Sequence, residues 1–266
     1  MIEVQVSRID VQRHMLERIQ DCVAEEKPLH IFLNHVHYVT ILCSPTSLRE
    51  LAVGHLLSEG LIKSVDEIGE ISVRKAGKCQ VQLKEGVDAE KRMQVSQPFA
   101  RLISTTCGSV DYWPLSKLVD RLGFQKLSMG FTVKADVILE STRRLNTIAE
   151  TFRKTGGVHV AALYTLNGEL VDCAEDVGRH NAVDKVIGSC ALRKRDFSKC
   201  FLASSGRLTG DIVLKAARMK IPVVSSLAAA TDSGIDVAKR TGVTLIGFVR
   251  GQRMNVFSFP ERVTIE

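Results

Sequence analysis

Aromatic residues make up only 5% of the 266-residue chain, with a single Trp. That argues against a base-stacking platform for single-stranded nucleic acid. Seven cysteines (Cys22, Cys43, Cys79, Cys107, Cys173, Cys190 and Cys200) are scattered without a Cys-x-x-Cys pair, so neither a zinc ribbon nor a dithiol redox motif can be written. No apolar run is long enough to span a bilayer. The opening residues MIEVQVSRIDVQRH lack the apolar core of a signal peptide. There is no basic block or DNA-binding motif. A cytoplasmic protein without a nucleic-acid or membrane role is therefore expected, because scattered free thiols fit a reducing compartment.

What is present is ordinary globular material, 45% hydrophobic and 25% charged, with a formal net charge of +6. A mild basic excess is mostly solvated surface; the sharper reading is a phosphate-bearing ligand or an acidic partner. The length suggests two domains. Residues His30 to Leu42 alternate around Asn34-His35 and predict two strands with a turn. Ser47 and Glu50 have capping-box spacing ahead of LAVGHLLSEGLI, whose apolar face is Leu48, Leu51, Val53, Leu56 and Leu57 and whose stop is Gly60. Ile68 to Leu83 predicts exposed β structure.

From Asp136 the rhythm changes. One long helix is predicted up to Gly156-Gly157, then two apolar runs around the hairpin signal Asn167-Gly168. Helices and short apolar runs alternate from there to MNVFSF, which predicts a largely parallel sheet covered on both faces. The fold class is α/β, divided into an N-terminal α+β domain at 1–125 and an α/β/α domain at 126–266, the boundary falling loosely between Gly123 and Lys134.

Cys107 sits in a small polar loop, STTCGSV, ahead of a helix start near Pro114. Backbone N–H groups and nearby cations in such a place favour thiolate, and Gly108 leaves room for a substrate. A half-buried structural thiol is an equal reading of the spacing alone. Cys43, Cys173 and Cys200 fall in predicted strands and Cys190 on an apolar helix stripe, so packing explains them. Cys79 reads as more exposed but with nothing to activate it, and Cys22 has acidic neighbours.

Ligands of such sheets gather at the carboxyl ends of strands. Four predicted strand ends lead into EDVGRHN, SSGRLTGD, AAATDSG and RGQR. Any one of these reads as an ordinary loop; the four together read as a phosphate-binding crevice. In the first, Glu175, Asp176, Arg179, His180, Asn181 and Asp184 crowd one turn, and His159 could approach it. Ser205, Gly206 and Arg207 before a helix suit a phosphate, while Thr209 or Asp211 could cap that helix. Arg250 and Arg253 around Gly251 could clamp a diphosphate.

In chain order LAVGHLLSEGLI, TTCG, TGGVH, EDVGRHNAVDKVIG, SSGR and GFVRGQR resemble the formate dehydrogenase accessory sulfurtransferase family, FdhD, from about Leu51 to Phe257. The resemblance implies a cytidine-deaminase-like three-layer α/β/α C-terminal domain, a smaller N-terminal domain and a homodimer. It implies a sulfurtransferase in which Cys107 takes persulfide sulfur from a cysteine desulfurase. The sulfur then passes to the molybdenum bis-guanine-dinucleotide cofactor, a cargo bound for formate dehydrogenase. Cofactor binding maps onto Phe248, Val249, Arg250, Gly251, Gln252 and Arg253, and the strand-end residues Ser205, Gly206, Arg207, Glu175 and His180 join that site. Many members have Cys-Gly-x-Cys, whereas Val110 stands at the second position here, which keeps open a cofactor chaperone that transfers no sulfur. Zinc deamination is ruled out by the missing His-x-Glu and Cys-x-x-Cys.

Overall fold

The computed structural model describes residues 1–74, 77–93, 119–120, 122–127, 130 and 132–265. The first segment, which carries no turn signal strong enough to predict a hairpin, forms one. Strands β1 (Ile2–Asp10) and β2 (Met15–Val23) pair antiparallel with each other alone. Strands β3 (Lys27–Leu33) and β4 (Val36–Cys43) follow, joined where Asn34 and His35 both take left-handed φ angles of 46° and 72°. That conformation suits a two-residue hairpin turn.

Helix α1 (Leu48–Ser58) forms, but without the predicted capping box. Ser47 is left-handed, at φ 51°, and its side chain accepts no cap hydrogen bond. Gly60, at φ +77°, ends the helical path as expected. Strands β5 (Ile68–Arg74) and β6 (Lys78–Leu83) complete a four-stranded sheet in the order β4-β3-β6-β5. Because β6 is an inner strand of it, Cys79 is fully buried rather than exposed.

A short strand β7 (Val133–Lys134) leads into α2 (Ala135–Ile148) and α3 (Glu150–Thr155). The single helix predicted over this stretch is broken at Ala149, which is extended at φ −92°, ψ 101°. The break has a chemical cause. The Glu175 carboxylate accepts the Thr151 and Phe152 amides at 3.1 and 2.6 Å, restarting the helix as a capping group.

The remaining elements alternate: β8 (His159–Thr165), β9 (Leu170–Asp176), α4 (Arg179–Leu192), β10 (Cys200–Ser204), α5 (Gly210–Arg218), β11 (Val223–Ser226), α6 (Asp232–Thr241), β12 (Thr244–Arg250), β13 (Arg253–Val256) and β14 (Val263–Thr264). The main sheet runs β13-β12-β11-β10-β8-β9. Only β10, β11 and β12 are mutually parallel; β13, β8 and β9 run antiparallel to their neighbours. Hydrophobic runs do not encode strand direction, and the two hairpins supply the antiparallel edges.

Side chains alternate across this sheet. Val160, Ala162, Tyr164, Phe201, Ala203 and Ile246 join the core beneath Ile138 and Leu145 of α2. Ala161, Leu163, Leu202, Val224 and Leu245 face the core built with α1, α4, α5 and α6. The result is a three-layer α/β/α arrangement.

The two sheets are tied through α1 and α4. A Cβ on Gly54 would overlap the Asp184 carbonyl oxygen and lie 2.8 Å from the Gly188 nitrogen; one on Gly188 would overlap the Glu50 carbonyl. The helices therefore cross backbone to backbone. Among the described residues, no helix is long and apolar enough to cross a membrane.

Candidate functional site at the carboxyl edge

Parallel pairing of β10, β11 and β12 places Ser204, Ser226 and Arg250 at one edge of the sheet. The antiparallel registers Ser204↔Ala161 and His159↔Asp176 bring the start of β8 and the end of β9 to the same edge. All four strand-end loops predicted to form a crevice therefore share one rim.

Hydroxyls fix the second loop. Gly206 N donates to Ser204 Oγ at 3.0 Å, Ser226 Oγ donates to Gly206 O at 2.6 Å, and Val160 N donates to Ser205 Oγ at 3.0 Å. His159 Nδ1 lies 3.3 Å from that same Ser205 Oγ. Burial displaces His159 downward from its ordinary value, and the cations Arg179, His180 and Arg207 push it the same way, against Asp176. The first loop thus contributes positive charge to the rim, and Arg207 is exposed.

The last loop is held just as closely. Phe248 is left-handed at φ 53°, its amide donates to Ala228 O at 2.9 Å, and a bulge separates Gly247 from Arg250. Arg250 donates from Nε to Leu227 O at 3.2 Å and lies 5.6 Å from the centre of the half-exposed Phe248 ring. Val249 is fully buried, so its side chain belongs to the α2-side core and not to the rim. Gly251, at φ +56°, Gln252 and Arg253 are exposed at the turn.

The acidic residues of the first loop point inward. Glu175 caps α3. Asp176 is fully buried and accepts the Ser44 and Gly178 amides, Asn181 Nδ2, and Lys185 Nζ at 2.7 Å. His180 Nε2 is paired with Asp211 Oδ2, whose other oxygen accepts from Thr209 Oγ1 and the Ile212 amide. Burial alone would raise the Asp211 carboxyl; the His180 and Thr209 hydrogen bonds reverse this and hold it well below the ordinary range.

Two lysines went unsingled in the sequence. Lys185 donates to Ser44 O and Glu175 O, and Lys215 donates to Ser58, Glu59 and Asp184 at 2.7–3.0 Å. The available signal was a lysine within each apolar helix run, NAVDKVIG and DIVLKAAR. His55, His180, Asp184, Asp211, Lys215 and Tyr38 line a cavity of about 290 Å³ between β4, α1, α4 and α5.

Burial raises five described thiols from their ordinary value, Cys43, Cys79 and Cys190 to about 11, and Cys173 and Cys200 in the same direction. None of these is suited to form a thiolate. Cys107, Gly108 and Val110 lie outside the described residues.

The chain is of the three-layer α/β/α class, with arginines along the carboxyl edge of its main sheet. Comparison narrows this to a family. The FdhD/NarQ family model matches residues 24–264, and the chain belongs to that family. The protein named sulfur carrier protein FdhD in Sulfolobus acidocaldarius is 37% identical over 247 residues, covering 92% of each chain. Its namesake in Methanothermobacter thermautotrophicus is 36% identical over 98% of each. A crystal structure described as a putative formate dehydrogenase accessory protein from Desulfotalea psychrophila superposes with a TM-score of 0.78 at 30% identity, covering 99% of both chains.

Proposed function

We propose that this chain is a sulfur carrier that serves formate dehydrogenase maturation. Cys107 takes persulfide sulfur from a cysteine desulfurase and passes it to a molybdenum bis-guanine-dinucleotide cofactor. The Cys107 thiolate attacks the outer sulfur of the donor persulfide, and the donor cysteine leaves as thiolate, so sulfur moves without an added oxidant. The reactive loop belongs to the N-terminal unit, 1–125, and the cargo site to the C-terminal unit, 126–266, in a cytoplasmic homodimer.

Membership of the FdhD/NarQ family and the sulfur-carrier name of its relatives support this reading. The observation that carries the cargo assignment is the carboxyl edge itself. Arg179, Arg207, Arg250 and Arg253 gather along it without ion-pair partners among the described residues, as a diphosphate-bearing ligand requires. Phe248, Arg250, Gly251, Gln252 and Arg253, with the backbone of Val249 and with Ser205, Gly206, Arg207 and His180, would hold that ligand.

Incubation with a cysteine desulfurase and cysteine should add one sulfur mass at Cys107, read by peptide mass spectrometry, and Cys107→Ala should abolish formate dehydrogenase maturation. Val110 favours a second reading, a chaperone that binds the cofactor without transferring sulfur. Maturation that survives Cys107→Ala would establish the chaperone and refute the carrier.

A further inference from the structure

The β1–β2 ribbon has an apolar side that no other described part of the chain covers. Its strands pair with each other and with no third strand, and no residue of either is buried. Seven of the thirteen large apolar side chains exposed among the described residues lie in residues 1–23. Val4, Val6 and Ile19 are half-buried, yet they pack against neither hydrophobic core. A lone two-stranded hairpin is marginally stable at best in water, and a contiguous apolar face of this kind marks an interaction surface.

The register sorts the ribbon into two unlike faces. Directly paired residues share a face, so Ile2/Val23, Val4/Asp21, Val6/Ile19, Arg8/Glu17 and Asp10/Met15 lie on one side. The other side carries Glu3/Cys22, Gln5/Gln20 and Ser7/Arg18 and is polar up to Ile9/Leu16 near the tip. The first face is thus an apolar strip closed toward the tip by an opposite-charge pair.

That strip is complementary to itself. A two-fold axis along the ribbon lays β1 on β2 of a second copy. Val6 then meets Ile19, Ile2 meets Val23, and Arg8 of each copy meets Glu17 of the other. Asp21, which comes opposite Val4, is already held by Arg8 of its own chain at 3.5 Å. Residues 1–23 contain three arginines and four acids, so they present no field of one sign that would select a strongly acidic or basic partner.

We propose that the β1–β2 ribbon is a dimerisation arm, its Val6/Ile19 face stacked on the same face of a second copy around a two-fold axis parallel to the strands. This surface rests on the homodimer reading above, to which no contact face had been assigned. The contact is isologous, each residue meeting the same partner in both directions. It stands apart from the sulfur and cargo machinery, because the family match begins at residue 24, directly after β2. A face nine residues long extends about 30 Å. That makes a small interface, so the dimer dissociates on dilution.

Sedimentation equilibrium of the full chain over a hundredfold range of concentration tests the arm. The unaltered chain should pass from monomer to dimer, and Val6→Asp should weaken the dimer at least tenfold. Arg8→Glu and Glu17→Arg should each weaken it when alone, by setting like charges against each other. An equimolar mixture of these two variants should dimerise more tightly than either, since only in the mixed dimer do opposite charges meet between copies. Thermal melts verify that each variant folds. A dimer that Val6→Asp leaves intact would overturn the arm while the homodimer stands, and an unaltered chain that stays monomeric would overturn both. A mixture no tighter than its components would overturn the two-fold register and with it the second copy as occupant.

Discussion

Replacing Lys215 with Met should cost the fold about 3–5 kcal/mol, the range for removing one partner of a buried ion pair. The ammonium donates to Ser58 Oγ at 2.8 Å, Glu59 Oε1 at 2.7 Å and Asp184 Oδ2 at 3.0 Å. The Lys215 side chain is 5% exposed and Asp184 1%. Burial by itself would raise the Asp184 carboxyl and lower the Lys215 amine. Their mutual attraction outweighs it, holding Asp184 at about 2 and keeping Lys215 above its ordinary value. Methionine matches much of the stem's volume but brings no charge, so Asp184 would keep only Ser58 and His55 as donors. Adding Asp184→Asn removes one of the two carboxylate charges that lose the ammonium, Glu59 still having Arg218 at 4.0 Å, and should recover part of the loss. Guanidinium chloride unfolding at pH 7, followed by circular dichroism, reads both values. A loss below about 1 kcal/mol for the single variant, or a double variant no more stable than the single, would refute the ion-pair account. The acid limb gives an independent sign. Asp184 sits below its unfolded value of 3.8, so its stabilisation is complete above that pH and disappears as pH falls toward 2. The double variant should lose less stability over that interval.

Gly54→Ala should destabilise by about 3 kcal/mol or more, beyond ordinary overpacking, because the new methyl meets the backbone of Asp184 and Gly188; a thermal melt within 2 °C of the parent, roughly the shift a fraction of a kcal/mol produces, would contradict it. Glu175→Ala should cost about 1 kcal/mol and speed hydrogen exchange at the Thr151 and Phe152 amides it caps, whereas unchanged exchange would show that α3 starts without it. Tyr164→Phe should be neutral or stabilising by up to about 1 kcal/mol, since the buried hydroxyl has no partner among the described residues; a clear loss in denaturant midpoint would reveal one.

The elements that could be read from sequence are those whose pattern and punctuation agree. The Asn34-His35 turn, α1 with its Gly60 stop, and the helix over Asp232–Thr241 ending at Gly242 all combine periodicity with a residue suited to positive φ. The break at Ala149 was illegible because its cause, Glu175, is 26 positions away in the chain and arrives only when β9 pairs with β8. The β1–β2 ribbon was illegible for the opposite reason. Its apolar residues Ile2, Ile9, Met15 and Leu16 remain exposed, so burial imposes little pattern on it. Lys185 and Lys215 resemble solvated charges until tertiary packing supplies Asp176, Asp184 and Glu59. At the candidate site, strand-end position foretold the shared rim, while the inward turn of the carboxylates was not foreseeable.

That inward turn explains how a chain with a net charge of only +6 builds a cationic edge. In EDVGRHNAVDK acids outnumber bases when histidine is neutral, and a linear reading predicts a balanced or acidic loop. Folding sorts the charges by depth. Glu175 is consumed by the α3 amides, Asp176 by Lys185 and three hydrogen-bond donors, Asp184 by Lys215, and Asp211, from the next helix, by His180. Each carboxylate is neutralised below the rim at short range, where screening by salt is weak. Arg207 is left exposed and Arg179 half-buried beside it, and Arg250 and Arg253 join them from β12 and β13. An anion approaching the edge therefore meets the arginines first and their counter-charges only beyond a layer of protein. The buried lysines, which touch no ligand, then matter to binding indirectly: each holds a carboxylate away from the rim. Lys185→Met should consequently weaken pyrophosphate binding through Asp176, the acid that faces His159, whereas a purely structural lysine would lower stability and leave the affinity of the folded fraction unchanged.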